Sequence, residues 1–389
     1  MIICAEKKCT GCFACKSACP KSAILTKTTK SGSLVPFIDK TKCVNCGLCR
    51  NVCPSINKIQ KQRADFAYAA TQKVDLDGLS SSGGVATALS KIVIKENGVV
   101  IGCAFLDGKA KHIVVKDLNG LKLLKGSKYV HSETGDTYKQ AKEFLEARKT
   151  VLFIGTPCGV AGLKNFLRKD YDNLFTVDLI CHGTPPFAYL KEYAEAKAKN
   201  KSWDKISFRG KKDFYLNVYN NGKIIYSRKS NEDVYFSAFL EGLTYRENCY
   251  TCGYATPERC SDITLGDFWG LDKSKLQTKM QGKVSVVLPN TEKGKALLKK
   301  CEEILLIEQR PFIEALNEKQ GNLQRPSKRH AERDLFIKNY ELYGFVKSVK
   351  KTSLGKKVSS RHFKRVVFSP FNKAVKLTKK VVKKIIKKS

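Results

Sequence analysis

Acid is what this 389-residue sequence lacks most. Asp and Glu number 36 against 72 Lys and Arg, a net charge of +36, and from Leu342 to the last residue there is no acid at all against 16 Lys and Arg. So uneven a balance gives the last segment a job of its own and says less about the rest. Long apolar runs are missing too: nowhere do about 18 uncharged apolar residues run together, and Met1–Lys8 lacks the apolar stretch of a secretory signal. These absences predict a cytoplasmic protein that does not span a membrane, peripheral on its inner face if the basic segment anchors there. Disulfides are rare in such a compartment, so the sixteen cysteines read as metal ligands or reactive thiols. A hydrophobic content of 42% excludes whole-chain disorder, and the length allows two or three domains.

Pattern divides the chain into residues 1–60, 61–145, 146–343 and a basic tail, 344–389. In the middle, Phe66–Thr71 and Gly98–Phe105 read as strands around a helix over Gly84–Glu96, whose apolar face is Val85, Leu89, Ile92 and Val93. Val151–Ile154 enters Gly155-Thr-Pro-Cys158, and Val160, Leu163, Phe166 and Leu167 follow at helical spacing. Leu174–Ile180 is another buried-strand candidate, ending at Cys181-His182-Gly183. Asn221-Gly222 between Phe214–Tyr219 and Lys223–Tyr226 reads as a hairpin, because this pair tolerates the positive φ of a tight turn. The expected fold is an α+β ferredoxin-like dicluster module, then an α/β domain with a largely parallel sheet, then a basic amphipathic helix.

Residues 1–60 hold an internal repeat. Cys9-x2-Cys12-x2-Cys15-x3-Cys19-Pro20 recurs as Cys43-x2-Cys46-x2-Cys49-x3-Cys53-Pro54. A C-x2-C-x2-C loop wraps three thiolates around one [4Fe–4S] cluster, and the fourth is the remote, Pro-preceding cysteine of the other repeat. Cys9, Cys12, Cys15 and Cys53 are therefore assigned to one cluster, and Cys43, Cys46, Cys49 and Cys19 to the other. A pair of structural zinc sites is the alternative. Cys4 lies outside the repeat and reads as a small apolar residue.

A second constellation lies downstream. Cys158 follows a strand and opens a helix, where the dipole is expected to lower a thiol's pKa. Cys181 also follows a strand, so parallel neighbours would bring both to the carboxyl edge of the sheet. Cys249-x2-Cys252 can complete a third [4Fe–4S] site, with Cys260 as a competing fourth ligand and buried inert cysteines plus a zinc half-site as the plainer alternative. Cys103 and Cys301 lie in apolar patterns and read as core. His182 is a candidate proton donor, a lone His of this kind being also a common structural residue.

Five strings share one likeness: Ser80-Ser-Ser-Gly-Gly84, Lys125-Gly-Ser-Lys-Tyr129, Gly155-Thr-Pro-Cys-Gly-Val-Ala-Gly-Leu163, Asp178-Leu-Ile-Cys-His-Gly183 and Ser261-Asp-Ile-Thr-Leu-Gly-Asp-Phe-Trp-Gly270. Together they resemble the beta subunit of coenzyme F420 hydrogenase/dehydrogenase, in its bacterial branch with a fused ferredoxin module. The resemblance covers most of residues 1–270. It implies FAD and a [4Fe–4S] cluster on an α/β fold, with Cys158, Cys181, Cys249 and Cys252 as ligands. It also implies a flavin or deazaflavin pocket lined by Ser81, Ser82, Gly83, Gly84, Lys128 and Tyr129, with coenzyme F420 itself left open. Related bacterial proteins occur among genes for surface polysaccharide synthesis, which implies a sugar- or polymer-modifying role. From the residues alone, a Ser-Ser-Gly-Gly turn before a helix is as often a plain cap.

On a helical wheel, Ala374, Val375, Leu377, Val381, Val382, Ile385 and Ile386 oppose Lys373, Lys376, Lys379, Lys380, Lys383, Lys384 and Lys387. Such a helix suits an anionic membrane surface. Docking to a partner protein or plain solvation is a second reading, and nucleic-acid binding a third that does not need so segregated an apolar face. The functional expectation is an iron–sulfur flavoenzyme passing electrons between a ferredoxin-type donor or acceptor and an unidentified organic substrate. A non-catalytic relay protein and a nucleic-acid-binding iron–sulfur protein are the alternatives.

Overall fold

The computed structural model describes residues 3–74, 80–210, 213–361 and 363. In chain order its strands are β1 (Ile24–Thr28), β2 (Leu34–Ile38), β3 (Phe66–Gln72), β4 (Val99–Leu106), β5 (Lys109–Val115), β6 (Val151–Gly155), β7 (Leu174–Leu179), β8 (Lys205–Ser207), β9 (Tyr215–Asn220), β10 (Lys223–Lys229), β11 (Ile263–Asp267), β12 (Ser285–Pro289) and β13 (Leu305–Pro311). β1 and β2 form an antiparallel hairpin within the cysteine-repeat region. β8, β9 and β10 make a small antiparallel sheet, turned between β9 and β10 by Asn221 and Gly222 at φ 48° and 76°, as the Asn-Gly pair predicts.

The other eight strands form one sheet in the order β13-β3-β12-β11-β7-β6-β4-β5. β11, β7, β6 and β4 are parallel neighbours. β3 points the same way, because both it and β11 are antiparallel to β12. Five of eight strands thus share a direction, the largely parallel α/β sheet that the sequence predicts. Val151, Leu152 and Phe153 on β6 are all wholly buried, the unalternating pattern of a strand covered on both faces. One cover is helix Val85–Lys95, which buries Val85, Ala88, Leu89 and Val93. Helix Pro157–Leu167 belongs to the other, opened by Pro157 in the first turn, where a missing N–H costs nothing. The cysteine-repeat module packs on that second face, with Ala14, Val52 and Ile24 in one cluster with Val160 and Leu163.

The basic segment that begins at residue 344 is in its first part structural. Phe345, Val349, Leu354 and Val358 are buried with Tyr189, Tyr193 and Phe336. The amphipathic stretch 373–387 lies outside the described residues. Among the described residues no helix is long and apolar enough to cross a membrane.

One buried ion pair locks the end of β7. Arg259 Nη2 donates to Asp178 Oδ1 at 2.9 Å, both side chains being at most 1% exposed. The same guanidinium donates to Leu179 O (3.1 Å) and to Tyr254 O (2.7 Å), so it ties the strand before Cys181 to the loop after Cys252. Removing one partner leaves an uncompensated charge in the interior, at a cost of about 3–5 kcal/mol. Arg259→Met is expected to lower the denaturant midpoint by that amount, and adding Asp178→Leu to recover part of it. An unaltered midpoint in the single variant would contradict this role.

Candidate functional site

The two cysteine repeats interlock. Cys9, Cys12, Cys15 and Cys53 face one another: after burial, Cys15 is pushed up by Cys12, Cys9 and Cys53, and Cys12 is raised to about 11 by burial with Cys9 and Cys53 adding to it. Cys49 is raised by burial and then by repulsion from Cys19 and Cys43. The structure therefore brings each Pro-preceding cysteine to the opposite repeat, the grouping that the spacing predicts. The Cys9 set is the inner one, with Cys9, Cys15 and Cys53 buried, whereas Cys46 of the other set is exposed. Cys15 also senses Cys49, so the two sets adjoin.

Cys4 departs from its reading as a bystander. Its thiol bonds to Cys53 and Cys9, and this bond is the largest influence holding those thiols down, to about 6 and about 7. No spacing rule pointed to it, because it lies outside both repeats.

Cys158, Cys181, Cys249 and Cys252 also converge. Burial pushes Cys158 far up, and Cys252, Cys181 and Cys249 add repulsion; Cys181 is pushed up to about 12 by burial, Cys249 and Cys252. The strand edge explains the convergence, since β6 and β7 are in parallel register from Val151↔Leu174 to Gly155↔Asp178 and deliver Cys158 and Cys181 side by side. The expectation that a helix N-terminus would lower the Cys158 pKa is overturned. Desolvation and three neighbouring thiols outweigh a dipole effect of about 1 kcal/mol. Cys260 stays apart as the competing ligand, buried and donating to Pro157 O at 3.4 Å. Cys301 is core, as predicted, whereas Cys103 lines the cavity described below.

The inner repeat set and this third set adjoin. A Cβ on Gly162 would lie 2.9 Å from Cys12 Sγ, so Cys12 packs on the helix that bears Cys158. Tyr254 faces Cys158, Cys12 and Cys252, with its hydroxyl on Pro54 O at 3.4 Å. Among the described residues no three His, Cys, Asp or Glu side chains crowd closely enough to chelate one metal ion. Thiol-only sets of four fit a [4Fe–4S] group, which takes four thiolates and no carboxylate.

At the carboxyl edge of the sheet a cavity of about 370 Å³ reaches from Cys12, Cys158 and Cys181 to the Ser80–Gly84 turn. Of the residues read as the cofactor loop, Ser81, Ser82, Gly84, Lys128 and Tyr129 line it, and Gly83 does not. Ser81 Oγ accepts from Ser127 N (2.7 Å) and so joins the two loops. Lys128 Nζ donates to Leu124 O (2.8 Å) and Lys125 O (2.9 Å), and burial lowers its pKa to about 8. Tyr129 stacks on Phe239, 4.8 Å between ring centroids. His182 also lines the cavity, stacked on Phe239, with its pKa lowered by burial. Arg209 and Asp267, an ion pair at 2.8 Å on the same wall, were not anticipated. Asp267 sits at the end of β11, where a strand-edge argument would find it.

Residues 148–315 match the family model for the C-terminal part of the coenzyme F420 hydrogenase/dehydrogenase beta subunit, and residues 8–57 match the 4Fe-4S dicluster domain. The chain carries that beta-subunit domain behind a dicluster module. Its beta-subunit part contains β6 to β13 and all four cysteines of the third set; its dicluster part contains both repeats. Among solved structures, a chain of the F420-reducing [NiFe] hydrogenase complex from Methanosarcina barkeri, studied by xenon derivatization, is similar at 18% identity with a TM-score of 0.45, over 78% of this chain and 92% of that one. No curated protein matches.

Gly83 owes its identity to packing. A Cβ there would lie 2.2 Å from Ala70 O on β3, and its N–H is already bonded to Ser285 Oγ at 2.9 Å. Gly83→Ala is expected to destabilise the chain by about 1–3 kcal/mol through overpacking, read as a denaturant midpoint in protein free of any flavin. Ser81→Ala, on the cavity wall, should move that midpoint by less than half as much.

Proposed function

We propose that the chain is an iron–sulfur flavoprotein oxidoreductase in which three [4Fe–4S] clusters connect a ferredoxin-type carrier to FAD and an organic substrate. The observation that carries this reading is the unbroken run of thiol sets, from exposed Cys46 through the buried Cys9 set to Cys158 and Cys181 on the wall of the cavity. Iron–sulfur clusters supply one-electron transfer, and flavin converts that to two-electron chemistry on organic molecules. Cys9, Cys12, Cys15 and Cys53 would hold the inner cluster, Cys19, Cys43, Cys46 and Cys49 the outer one, and Cys158, Cys181, Cys249 and Cys252 the third.

On the cavity side, Ser81, Ser82 and Gly84 would orient the flavin, and Tyr129 would offer an apolar ring to it. His182, kept neutral by burial, could give or take a proton at a ring nitrogen. Sugars and sugar polymers are the substrate class that the family resemblance suggests first. Protein purified without oxygen should contain about 12 irons per chain and releasable FAD. Eight irons and no flavin would reject the flavoenzyme and leave an electron-transfer relay.

The outer set also suggests the carrier's charge. Residues 1–60 hold ten Lys and Arg and two acids. Of these acids, Asp39 accepts from Thr41 (2.6 Å) and lies 3.9 Å from Lys42. Beside exposed Cys46, Val44 is 59% exposed and Lys40 and Lys42 are exposed. An acidic one-electron carrier would be steered to this face. Lys40→Glu with Lys42→Glu is expected to slow reduction by a reduced acidic ferredoxin about tenfold at low salt and to flatten the salt dependence. Equal rates would redirect the search for the entry point.

A further inference from the structure

Arg246 is a cation buried without a counter-charge. Its side chain sits in a residue only 2% exposed, and charges so placed in proteins are paired or bound to a metal centre. Among the described residues no carboxylate lies at ion-pair distance from it. The adjacent Glu247 is committed elsewhere, to Arg333 at 3.2 Å and Arg329 at 3.5 Å. What Arg246 does contact is backbone: Nη1 and Nη2 donate to Leu34 O (3.2 and 3.1 Å), and Nη2 also to Cys9 O (3.3 Å). Its Nε is buried with no partner. These carbonyls satisfy donors but do not neutralise a charge.

The position is as informative as the missing partner. Arg246 N donates to Thr184 O (3.1 Å), in the loop just after Cys181, and Arg246 O accepts from Cys249 N (3.0 Å), in the turn that presents Cys249 and Cys252. The side chain crosses to the other repeat loop, where a Cβ on Gly11 would lie 2.8 Å from Nη2. One residue is therefore tied to the loops of the inner repeat set and of the third set together. The ionisable groups that sense its charge are the thiols of Cys9 and Cys249 and the ring of His131, which is held neutral by burial and faces Gly11 O at 3.1 Å.

We infer that Arg246 is the counter-cation shared by the inner repeat cluster and the third cluster, and that it raises the reduction potential of both. The inference rests on the cluster reading given above. A cluster held by four thiolates becomes more negative by one charge on reduction, so a fixed cation beside it favours the reduced form. A single cation between two clusters raises both potentials together, which keeps the step between them small. As a positioning residue, Arg246 also spaces the two sets through its hydrogen bonds. Its charge sets the potentials.

The test uses the full chain, purified without oxygen, with iron counting and redox titration followed by electron paramagnetic resonance. In Arg246→Gln, iron is expected to stay at the unaltered level. At a fixed potential, the ratio of reduced to oxidised cluster should fall about tenfold for the two clusters beside it, which is 59 mV for one electron. The outer cluster, held by Cys19, Cys43, Cys46 and Cys49, should keep its potential and serve as the internal control. Unmoved potentials in an iron-replete Arg246→Gln protein would overturn the inference. Should that variant fail to hold iron, Arg246→Lys decides: the retained charge should keep both potentials near those of the unaltered chain, and a full tenfold fall with the cation still present would overturn it. Iron counting on the unaltered chain tests the cluster reading separately, since eight irons would remove the third cluster whatever Arg246 does.

Discussion

Everything about the site depends on parallel register. β6 and β7 run side by side with Gly155 opposite Asp178, and β11 joins β7 with Thr264 opposite Asp178. Because the strands end level, the residues that follow them leave the sheet at one edge. Cys158, Cys181 and Asp267 therefore meet at the cavity, although more than a hundred residues separate the first from the last. A parallel pair requires a covering crossover on each step, and the crossover helix Pro157–Leu167 is also the surface that receives Cys12. The same geometric fact thus builds the third thiol set and docks the inner repeat set against it.

Parts of this were legible in the sequence, for identifiable reasons. The repeat spacing encodes a local loop, so the cross-grouping of Cys53 with Cys9, Cys12 and Cys15 could be derived without tertiary information. The unalternating run Val151–Ile154 identified a doubly covered strand, and Asn221-Gly222 identified its turn by backbone sterics. Convergence of Cys249 and Cys252 on Cys158 and Cys181 was not derivable from spacing. It came from family resemblance, and in the fold it depends on the chain returning through β8 to β10 before the turn at Glu247–Thr251. Cys4, Arg246 and Arg209 gave no local signal, since their significance lies in what tertiary packing sets beside them.

Gly83 and Cys158 illustrate how a sound local rule gives way to tertiary context. Glycine before a helix suggests close approach to a ligand, and there is indeed a close approach at Gly83, but to Ala70 O of a neighbouring strand. A thiol at a helix start suggests an acidic thiol, yet Cys158 is raised because burial and like neighbours count for more than the dipole.

The raised thiols have a thermodynamic meaning. In the metal-free chain a neutral thiol is the favoured state for a buried cysteine, and twelve cysteines gathered in three groups gain little from one another. Cluster ligands must be thiolates, so assembly expels protons and leaves several anionic centres in the interior. Arg246, with no carboxylate, and the Cys4 thiol, bonded to Cys9 and Cys53, are costly or idle without those anions and useful with them. The interior is thus laid out for a charge distribution that only the cluster-loaded chain possesses, which couples the stability of the dicluster module and of the sheet edge to the same bound groups.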